Sequence, residues 1–287
     1  MATGGIVQLI YNPTAGRHCA KRLDALRLGF EAGGARVILS ESAPGLTLSI
    51  HEEAGHVCAI GGDGTVRHVA LALARSGRAL PLSAYPGGTV NLLHREFTAP
   101  AEPATYAARA LSGEAGCLHY AAEINDTLFL ACASAGPDSR AVAAVTPALK
   151  HRLGKLAYAV AFLRELLRWE RPSIRLVCDG RDIRCEAFYV AKGRYYAGPW
   201  SFAPEACRTA PLLHVVALQR ARRRDYARFL WALLRGKAIG GVAGAVAFTC
   251  TEVTAEADRP FPLQADGDIV AALPVRIGLR AEPFTFR

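Results

Sequence analysis

The sequence predicts an α/β protein in which a parallel-sheet domain is followed by a mostly antiparallel β domain. In the first 118 residues, short apolar runs alternate with segments of helical periodicity, which is the pattern of a parallel sheet with helical crossovers. From about residue 119 most apolar segments have the character of strands. A glycine-rich stretch at 61–65 stands between an apolar run and a helical segment, and the first domain is predicted to be organised around it.

The elements of the first domain follow from hydrophobic periodicity and from breaks at glycine and proline. The predicted strands are 7–11, 35–40, 57–60 and 80–85. The predicted helices are one that carries Leu23, Leu26 and Phe30 on its inner face, a short one at 46–53, one from 66 to about 76, one from about 92, and one at about 104–112.

The stretch Gly61-Gly62-Asp63-Gly64-Thr65 has the composition of a phosphate-binding turn. Glycine lets backbone approach a ligand closely, and a helix N-terminus offers unpaired N–H groups. Thr65 is predicted to cap the following helix. A carboxylate at Asp63 repels phosphate unless Mg²⁺ or a reacting hydroxyl lies beside it. The alternative is a tight turn between strand and helix with a solvated aspartate.

Two further loops follow predicted strands, at 12–17 and 86–91. Both contain proline and glycine, which end regular structure. Because ligands of parallel sheets bind at the carboxyl ends of the strands, the three loops are predicted to converge on one site.

The second domain is predicted from six apolar segments and two helical ones. The strands are expected at 121–132, 174–178, 183–191, 213–218, 248–255 and 275–279, and the helices at about 151–169 and 222–236. The sequence contains no apparent internal repeat or low-complexity tract.

Composition sets the class of protein. The chain has 287 residues, of which 51% are hydrophobic and 21% charged, so it is globular. Its net charge of +9 indicates an anionic partner such as a nucleotide or an acidic membrane surface. The eight cysteines include no C-x-x-C pair, which favours reduced thiols in a cytoplasmic protein. No apolar run reaches the length of a membrane span.

Six motifs in this order resemble the diacylglycerol kinase catalytic family, which includes bacterial lipid kinases, sphingosine kinases and ceramide kinases. They extend over nearly the whole chain. The motifs are Asn12-Pro13-x-x-Gly16, Gly61-Gly62-Asp63-Gly64-Thr65, Gly88-Thr89-x-Asn91, Gly154-Lys155-Leu156-Ala157-Tyr158, Ala203-Pro204-Glu205-Ala206 and Gln264-Ala265-Asp266-Gly267-Asp268.

The resemblance implies a Rossmann-like, ATP-binding α/β domain at 1–118 and a β-sandwich domain for the lipid substrate at 119–287, with a cleft between them. It also implies an enzyme that transfers the γ-phosphoryl group of Mg-ATP to a primary hydroxyl of diacylglycerol, ceramide or a sphingoid base. Such transfer depends on positioning and charge neutralisation more than on covalent chemistry.

The resemblance also implies roles for individual residues. Asp266 matches the proposed base of bacterial relatives, and Asp63 is predicted as a second catalytic residue and as a metal ligand together with the ATP phosphates. If extended, the segment would point Asp266 and Asp268 to one side, whereas Asp266-Gly267 by itself is a common hairpin turn. The predicted nucleotide-binding residues are Asn12, Pro13, Thr14, Ala15, Gly16, Ser40, Gly61, Gly62, Asp63, Gly64, Thr65, Val66, Arg67, Gly88, Thr89, Asn91 and Asp268.

Three positions depart from the family pattern. Leu92 stands where an acidic residue is usual, His119 where an aspartate is expected, and Thr209-Ala210-Pro211 where bacterial relatives have Asp-Gly. Since Mg²⁺ needs oxygen ligands, the structural Mg²⁺ site of those relatives is predicted to be missing.

Other functions remain open at this point. An NAD kinase-like enzyme with a soluble substrate shares the Gly-Gly-Asp-Gly loop, but the loops at 12–17 and 86–91 argue against it. A non-catalytic lipid-binding protein would fit the lost acidic positions, and the retained Asp63 and Asp266 argue against that. The charge fits a nucleic-acid binder, yet the sequence has no recognised binding motif, and no nucleic-acid partner is expected.

The stretch from 218 to 237 carries seven basic residues against the single acid Asp225. As a helix it would place Tyr226, Leu230, Leu233 and Leu234 on one face, which predicts peripheral docking on an anionic membrane. Packing of that face on the β domain is the alternative. The protein is accordingly expected in the cytoplasm, at the inner face of the membrane, and its oligomeric state is left open.

Overall fold

The computed structural model describes residues 5–43, 45–145, 155–236, 239–242 and 244–287, and it describes only the backbone of 155–157. The chain forms two compact units. The first unit contains the residues up to His119 together with Glu282–Arg287, and the second is Tyr120–Ala281. The predicted boundary between 118 and 119 lies beside this division, but the return of the last residues to the first unit was not predicted.

The first unit alternates strands and helices, as the periodicity predicts. Its elements are β1 Ile6–Tyr11, α1 Ala20–Ala32, β2 Arg36–Glu41, β3 Ala54–Gly61, α2 Asp63–Arg75, β4 Leu82–Pro86, α3 Leu92–Phe97, α4 Pro103–Leu111 and β5 Cys117–His119, with β18 Phe284–Phe286 at the end of the chain.

These strands form one six-stranded sheet in the order β2-β1-β3-β4-β18-β5. Strands β1 to β4 are mutually parallel. The core on one side joins Leu9 and Cys58 of the sheet to Leu26 and Phe30 of α1 and Tyr106 of α4. Burial of these apolar side chains holds the two helices against the sheet.

Strand β18 returns to the first sheet because its aromatic side chains are buried there. Phe286 is 2% exposed and stacks on Phe97, with ring centroids 4.4 Å apart. Strand β18 pairs parallel to β4 and antiparallel to β5. A three-residue strand at a chain end carries too little periodicity to be predicted.

The second unit is built mainly of short strands. Its elements are β6 Ala122–Ile124, β7 Thr127–Phe129, β8 Cys132–Ala135, α5 Pro137–Ala144, α6 Lys155–Leu167, β9 Ile174–Cys178, β10 Arg181–Cys185, β11 Ala187–Ala191, β12 Leu213–Leu218, α7 Arg223–Leu234, a 3₁₀ turn Ile239–Gly241, β13 Ala245–Cys250, β14 Glu252–Ala257, β15 Pro262–Ala265, β16 Asp268–Ala272 and β17 Val275–Leu279.

Two six-stranded antiparallel sheets enclose the core of this unit. Their orders are β10-β9-β14-β17-β6-β7 and β13-β12-β11-β8-β15-β16. One apolar cluster joins them, and it includes Leu176 and Val253 of the first sheet with Phe188 and Val215 of the second. The predicted fold class, a parallel sheet followed by an antiparallel β sandwich, is confirmed.

Three predicted strands are each divided in the structure. Glu186 separates β10 from β11, and Thr251 separates β13 from β14, and in both cases the chain passes from one sheet to the other. The segment 121–132 is broken at Asn125, whose φ of 48° is left-handed. Such corners cannot be predicted from a continuous apolar run, because the strands on both sides of the corner are buried in the same core.

The helix predicted at 46–53 is wrong, because this segment is irregular. The buried side chain of Gln8 binds its backbone instead. Gln8 donates from Nε2 to the carbonyl oxygen of Ser49 (3.1 Å) and accepts at Oε1 from the amide of His51 (2.9 Å). A side chain distant in sequence thus supplies partners that a helix would have supplied internally.

For the apolar face of α7, the alternative of packing on the β domain is found at Tyr226 and Leu233. Tyr226 and Leu233 are 0% and 3% exposed, and they face the interior of the second unit with Phe229. The apolar residues that α7 exposes are Trp231 and Leu234. Among the residues that the structure describes, no helix combines the length and apolarity needed to cross a bilayer.

Candidate active site

Backbone hydrogen bonds join the three glycine-containing loops at the carboxyl ends of β1, β3 and β4. The amide of Asn12 donates to the carbonyl of Ile60 (3.0 Å), and that of Arg17 to the carbonyl of Gly87 (2.9 Å). The amide of Gly87 in turn donates to the carbonyl of Gly61 (2.8 Å). The loops therefore form one connected surface at the edge of the sheet.

Close backbone packing explains the glycines of this surface. A Cβ atom on Gly88 would overlap the Cα of Gly62, and one on Gly61 would overlap the side chain of Thr65. A Cβ on Gly87 would lie 3.0 Å from the Cα of Gly61. Two stretches of main chain pass here with no room for side chains, so these positions require glycine.

Helix α2 begins earlier than predicted. Gly62 is its N-cap and Asp63 its first residue, so Thr65 lies inside the first turn and does not cap the helix. The hydroxyl of Thr65 accepts from Nδ2 of Asn12 (3.3 Å). The first helical hydrogen bond runs from the amide of Val66 to the carbonyl of Gly62 (3.1 Å), and the amides of 63–65 precede it at the positive end of the helix.

The side chain of Asn12 shapes the first loop. Its Oδ1 accepts from the amide of Thr14 (2.9 Å) and from the hydroxyl of Thr14 (2.8 Å). The amide of Ala15 donates to the carbonyl of Asn12 (3.2 Å), which closes the turn around Pro13. Gly16 is exposed, and a Cβ there would lie 3.1 Å from Oγ1 of Thr89.

Asn91 organises the third loop in a similar way. Its Oδ1 accepts from the amide of Gly88 (2.8 Å), and its Nδ2 donates to the carbonyl of the same residue (2.9 Å). Asn91 itself has φ of 55°, a conformation that asparagine tolerates better than most residues. Asn12 and Asn91 thus fix loop shape, and their predicted nucleotide contacts stay predictions.

Asp63 lies inside this surface and supports α3. It is 9% exposed, and its Oδ1 accepts from the amide of Leu93 (3.0 Å) in the first turn of α3. Burial raises the pKa of the Asp63 carboxyl, and amide donors including Leu93 and Leu92 oppose that rise. The catalytic and metal-binding roles predicted for Asp63 stay predictions, while the geometry gives the carboxylate a role in positioning α3.

The described residues offer Mg²⁺ few ligands. They contain no group of three or more His, Cys, Asp or Glu side chains that could hold a metal ion. Mg²⁺ in kinases is commonly held by one or two carboxylates together with substrate phosphates. Such binding needs fewer protein carboxylates than a cluster of three, so the metal contact predicted for Asp63 stays a prediction.

The remaining predicted contacts in the first unit lie in varied surroundings. Ser40 is half-buried at the end of β2, and its hydroxyl accepts from Nε2 of Gln8 (2.9 Å). Val66 is 3% exposed and belongs to the core. Arg67 is 5% exposed, with Nη2 lying 3.3 Å from Nε2 of His68.

Asp266 and Gly267 form the two-residue turn of the β15–β16 hairpin. Their φ angles are 49° and 89°, as a type I′ turn requires. The segment is not extended, so the condition under which Asp266 and Asp268 would point to one side is not met. The turn buries Asp266 (6% exposed) and leaves Asp268 exposed. The hairpin alternative is the one found.

The Asp266 carboxylate binds the backbone between β7 and β8. Oδ2 accepts from the amide of Leu130 (2.8 Å), and Oδ1 accepts from the amides of Ala131 (2.9 Å) and Cys132 (3.2 Å). Successive amide groups that converge in this way form an anion-binding nest. The carboxylate is thereby held in one orientation at the corner where the chain passes between the two sheets.

A chain of polar side chains extends from the hairpin to Asp138, which was not predicted. The amide of Gly267 donates to Oε1 of Gln264 (3.1 Å), and Gln264 donates from Nε2 to the hydroxyl of Ser134 (2.6 Å). The hydroxyls of Ser134 and Tyr196 both donate to Oδ2 of Asp138, that of Tyr196 over 2.6 Å. Burial raises the pKa of the Asp138 carboxyl.

One signal in the sequence could have indicated this acid. Gly136-Pro137-Asp138 follows an apolar strand, with Gly136 as N-cap and Pro137 in the first turn of α5. Proline in the first turn and an acidic residue near a helix N-terminus are both favoured. Ser134 is only four positions before Asp138, whereas Gln264 and Tyr196 come from distant segments and leave no local pattern.

The structure shows what surrounds His119 and Thr209, two of the positions that depart from the family pattern. His119 is fully buried against the rings of Phe97 and Phe286 in the first unit. Near Thr209, the fully buried Lys192 donates from Nζ to the carbonyls of Cys207 (2.9 Å) and Ala210 (2.7 Å). An ammonium group therefore binds the loop in which the resemblance places a metal site in bacterial relatives. Gly154 of the fourth motif lies outside the described residues.

Family models match both parts of the chain. Residues 7–120 match the diacylglycerol kinase catalytic domain, and residues 131–286 match the YegS C-terminal NAD kinase beta sandwich-like domain. The chain belongs to the YegS-like diacylglycerol kinase family. This membership agrees with the resemblance of the motifs.

Individual relatives support the same family. A Pseudomonas putida protein named "Probable lipid kinase YegS-like" is 31% identical over 67% of this chain and 63% of its own length. A Pseudomonas aeruginosa protein of the same name is 36% identical over 68% of this chain and 62% of its own length. The matched region thus spans less than two thirds of these two relatives. A Bacillus subtilis diacylglycerol kinase is 25% identical over 93% of this chain and 91% of its own length.

A solved structure shares the fold. The crystal structure of a diacylglycerol kinase from Bacillus anthracis superposes with a TM-score of 0.78, covering 100% of this chain and 98% of that one at 20% identity. At this identity the likeness concerns the fold.

Proposed function

We propose that this protein is an ATP-dependent lipid kinase that transfers the γ-phosphoryl group of Mg-ATP to a primary hydroxyl of a membrane lipid. The observation that carries the proposal is the connected glycine-loop surface at the carboxyl end of the parallel sheet, in a chain whose two parts both match the family. Backbone amides at a helix N-terminus are suited to bind phosphate oxygens.

Each group of residues has a separate role in the proposed reaction. The backbone of 12–16, 61–65 and 87–89 binds the phosphates, and Asn12 and Asn91 keep these loops in shape. Mg²⁺ bound with ATP supplies neutralisation of phosphate charge. Asp63 positions α3 beside the loops, and its predicted catalytic and metal-binding roles are part of the proposal.

Asp266 is the proposed base. Its carboxylate takes the proton of the acceptor hydroxyl while the hydroxyl oxygen attacks the γ-phosphorus, and ADP leaves with the electrons of the broken P–O bond. The three amide donors hold the carboxylate in a fixed orientation, which suits a group that must meet a hydroxyl in one geometry.

The acceptor is proposed to be diacylglycerol, ceramide or a sphingoid base, presented at the inner face of the membrane to a cytoplasmic protein. An NAD kinase-like activity is the second candidate, because the matched C-terminal family is described as NAD kinase-like. A relative that binds lipid without catalysis is the third, and intact Asp63 and Asp266 weigh against it.

A panel assay tests the proposal. Purified protein, labelled ATP and Mg²⁺ are incubated with micelles of diacylglycerol, ceramide or sphingosine, and separately with NAD. We expect label in one lipid and none in NAD; label in NAD alone, or in no acceptor, would refute the proposal.

The variant Gly64→Val tests where the nucleotide binds. Gly64 lies in the first turn of α2, and a valine side chain there would obstruct phosphates approaching the amides. We expect ATP affinity, measured by calorimetry, to fall by about fivefold to 150-fold, since steric overpacking costs roughly 1–3 kcal/mol. Gly5→Val is the matched control, because a Cβ on Gly5 meets nothing within 4 Å. A folded Gly64→Val protein with unchanged ATP affinity would place the nucleotide elsewhere.

A further inference from the structure

The second unit contains an arginine-lined cavity that none of the assigned motifs includes. Its volume is about 470 Å³. It lies between the end of α6 and the start of α7, and its lining residues are Trp169, Arg171, Ala221, Arg222, Arg223 and Arg224. We propose that this cavity binds the phosphate headgroup of an anionic phospholipid and holds the second unit against the membrane surface.

The charges at the cavity favour an anion. Four guanidinium groups line it, and Arg222 and Arg224 are exposed. Arg222 is also the N-cap of α7, so the positive end of a twelve-residue helix adds to the field. Guanidinium groups bind phosphate oxygens through paired N–H donors, which makes phosphate the anion of choice.

The neighbouring acids leave much of this charge unbalanced. Nη1 of Arg171 lies 3.7 Å from Oε1 of Glu186, whose other oxygen accepts from the amide of Ala221. Asp225 is 3% exposed and lies 3.9 Å from Nη1 of Arg228, beyond the cavity lining. Glu170, next to Arg171, lies 3.0 Å from Nη1 of Arg259 and 3.7 Å from Nη1 of Arg140. Three carboxylates thus neighbour the four lining arginines, and two of them, Glu170 and Asp225, pair with arginines outside the lining.

An exposed apolar stripe on α6 identifies the occupant as a membrane lipid. Val160, Leu163 and Leu167 are 54%, 57% and 54% exposed, and their spacing places them on one side of the helix. The stripe ends at the cavity, because Arg223 donates from Nη2 to the carbonyl of Leu167. Apolar side chains beside a phosphate-binding cavity match the boundary between acyl chains and headgroups, whereas free phosphate or nucleic acid would leave the stripe exposed.

The proposed dock differs from the one expected from the sequence. The apolar face of α7 is largely buried, so the lipid-facing apolar residues belong to α6, and α7 contributes its basic N-terminus. The choice of a membrane as partner rests on the proposed lipid kinase function. Binding to vesicles is nevertheless measured without ATP, so the two proposals can fail separately.

Cosedimentation with vesicles tests the charged part of the dock. Wild-type protein is mixed with vesicles of phosphatidylcholine alone or with added phosphatidylglycerol, at low and high salt. The variant is Arg222→Gln/Arg224→Gln, and the control is Arg36→Gln/Arg184→Gln, which removes the same charge from exposed sites elsewhere. Since each basic residue contributes about 1 kcal/mol near an anionic surface, we expect partitioning of the variant to fall by up to about thirtyfold at low salt.

The apolar part is tested by Leu163→Ser, with Leu28→Ser as control because Leu28 is 50% exposed on the first unit. We expect binding to anionic vesicles to fall by about tenfold or more for Leu163→Ser alone, since burial of a leucine contributes about 1.5–3 kcal/mol. Equal losses in variants and controls, or wild-type binding that ignores phosphatidylglycerol and salt, would overturn the proposal. Binding of duplex DNA in preference to anionic vesicles would overturn it as well. So would chemical modification of the cavity arginines that inorganic phosphate alone blocks as well as anionic vesicles do.

A final measurement separates docking from catalysis. Phosphorylation of a short-chain, monomeric acceptor is expected to be unchanged in both dock variants, because neither touches the glycine loops or Asp266. If wild type phosphorylates no acceptor while vesicle binding follows the expected pattern, the kinase proposal fails and the dock stands. If the variants lose activity on the monomeric acceptor together with vesicle binding, the dock proposal fails.

Discussion

The glycine turn of the first unit and the Asp-Gly turn of the second need glycine for different reasons. Gly61 and Gly88 lie where two stretches of backbone touch, so a Cβ would strike neighbouring atoms. Gly267 has nothing within 4 Å of its Cβ position, but its φ is 89°. The first turn requires space and the second requires a conformation. Glycines in loops of the two units therefore meet different physical constraints.

The aspartates of the two turns resemble each other more closely. Both are buried, and both accept backbone amides of a remote segment: Asp63 from Leu93, thirty positions away, and Asp266 from Leu130 to Cys132. The two aspartates differ in the number of these hydrogen bonds, since Asp266 accepts from three amides with both of its oxygens. Removal of one carboxylate oxygen should accordingly cost more at Asp266 than at Asp63.

The largest effect is expected for Asp266→Asn. Asparagine has one acceptor oxygen, and its NH₂ group would face an amide donor. We expect turnover to fall by about 10²–10⁴, as for loss of a general base, and the free energy of unfolding to fall by roughly 1–3 kcal/mol. Steady-state kinetics and urea unfolding measure the two effects.

Asp258→Asn is the control for that substitution, because the Asp258 side chain is exposed on the second unit and lies outside the predicted site. It should leave turnover within a few-fold of wild type. A folded Asp266→Asn protein with near-normal turnover would remove Asp266 from the catalytic residues and leave it only its structural role.

The next largest effect is expected for Gly88→Ala. The added Cβ would overlap the Cα of Gly62, which no rotation of a side chain can relieve. We expect a loss of about 1–3 kcal/mol in unfolding free energy, together with weaker ATP binding measured by calorimetry. Stability and ATP affinity equal to wild type would show that the loops are not in contact as described.

The sequence was informative where the determinants are local. Apolar runs and glycines located the parallel strands and the three loops. The predicted start of α2 was too late, because Gly62, rather than Thr65, is its N-cap. Contacts between distant segments were not predictable. Gln8 replaces the expected helix at 46–53, Ser134 meets Gln264, and Arg171 joins Arg222–Arg224 only after folding.

A smaller effect is expected at Asp63, in the pH dependence of stability. Burial raises the folded-state pKa of this carboxyl, so the folded protein holds the proton more tightly than the unfolded chain. The contribution of Asp63 to the free energy of unfolding should therefore be greatest at low pH. It should decline as the pH rises from the ordinary aspartate pKa through the raised value. Asp63→Asn should remove this decline, so that its stability relative to wild type improves as pH increases.

Urea unfolding at several acidic and neutral pH values measures this difference. Asp258→Asn again serves as control, since an exposed carboxylate should not change the slope. If the difference in unfolding free energy between Asp63→Asn and wild type stayed constant with pH, burial would not govern the pKa of the Asp63 carboxyl.

The smallest effect is expected at Gly267, where only conformation is at stake. Asparagine adopts positive φ more readily than other residues with a side chain, and the Cβ position is open. Gly267→Asn should cost less than about 1 kcal/mol of unfolding free energy, whereas Gly267→Val should cost about 1–2 kcal/mol because a β-branched side chain is strained in this region. This order would disappear at Gly88, where asparagine and valine both overlap Gly62 and asparagine gains no advantage. If Gly267→Asn destabilised the protein as much as Gly88→Ala, the Asp-Gly turn would also depend on close packing, and the distinction between the two turns would fail.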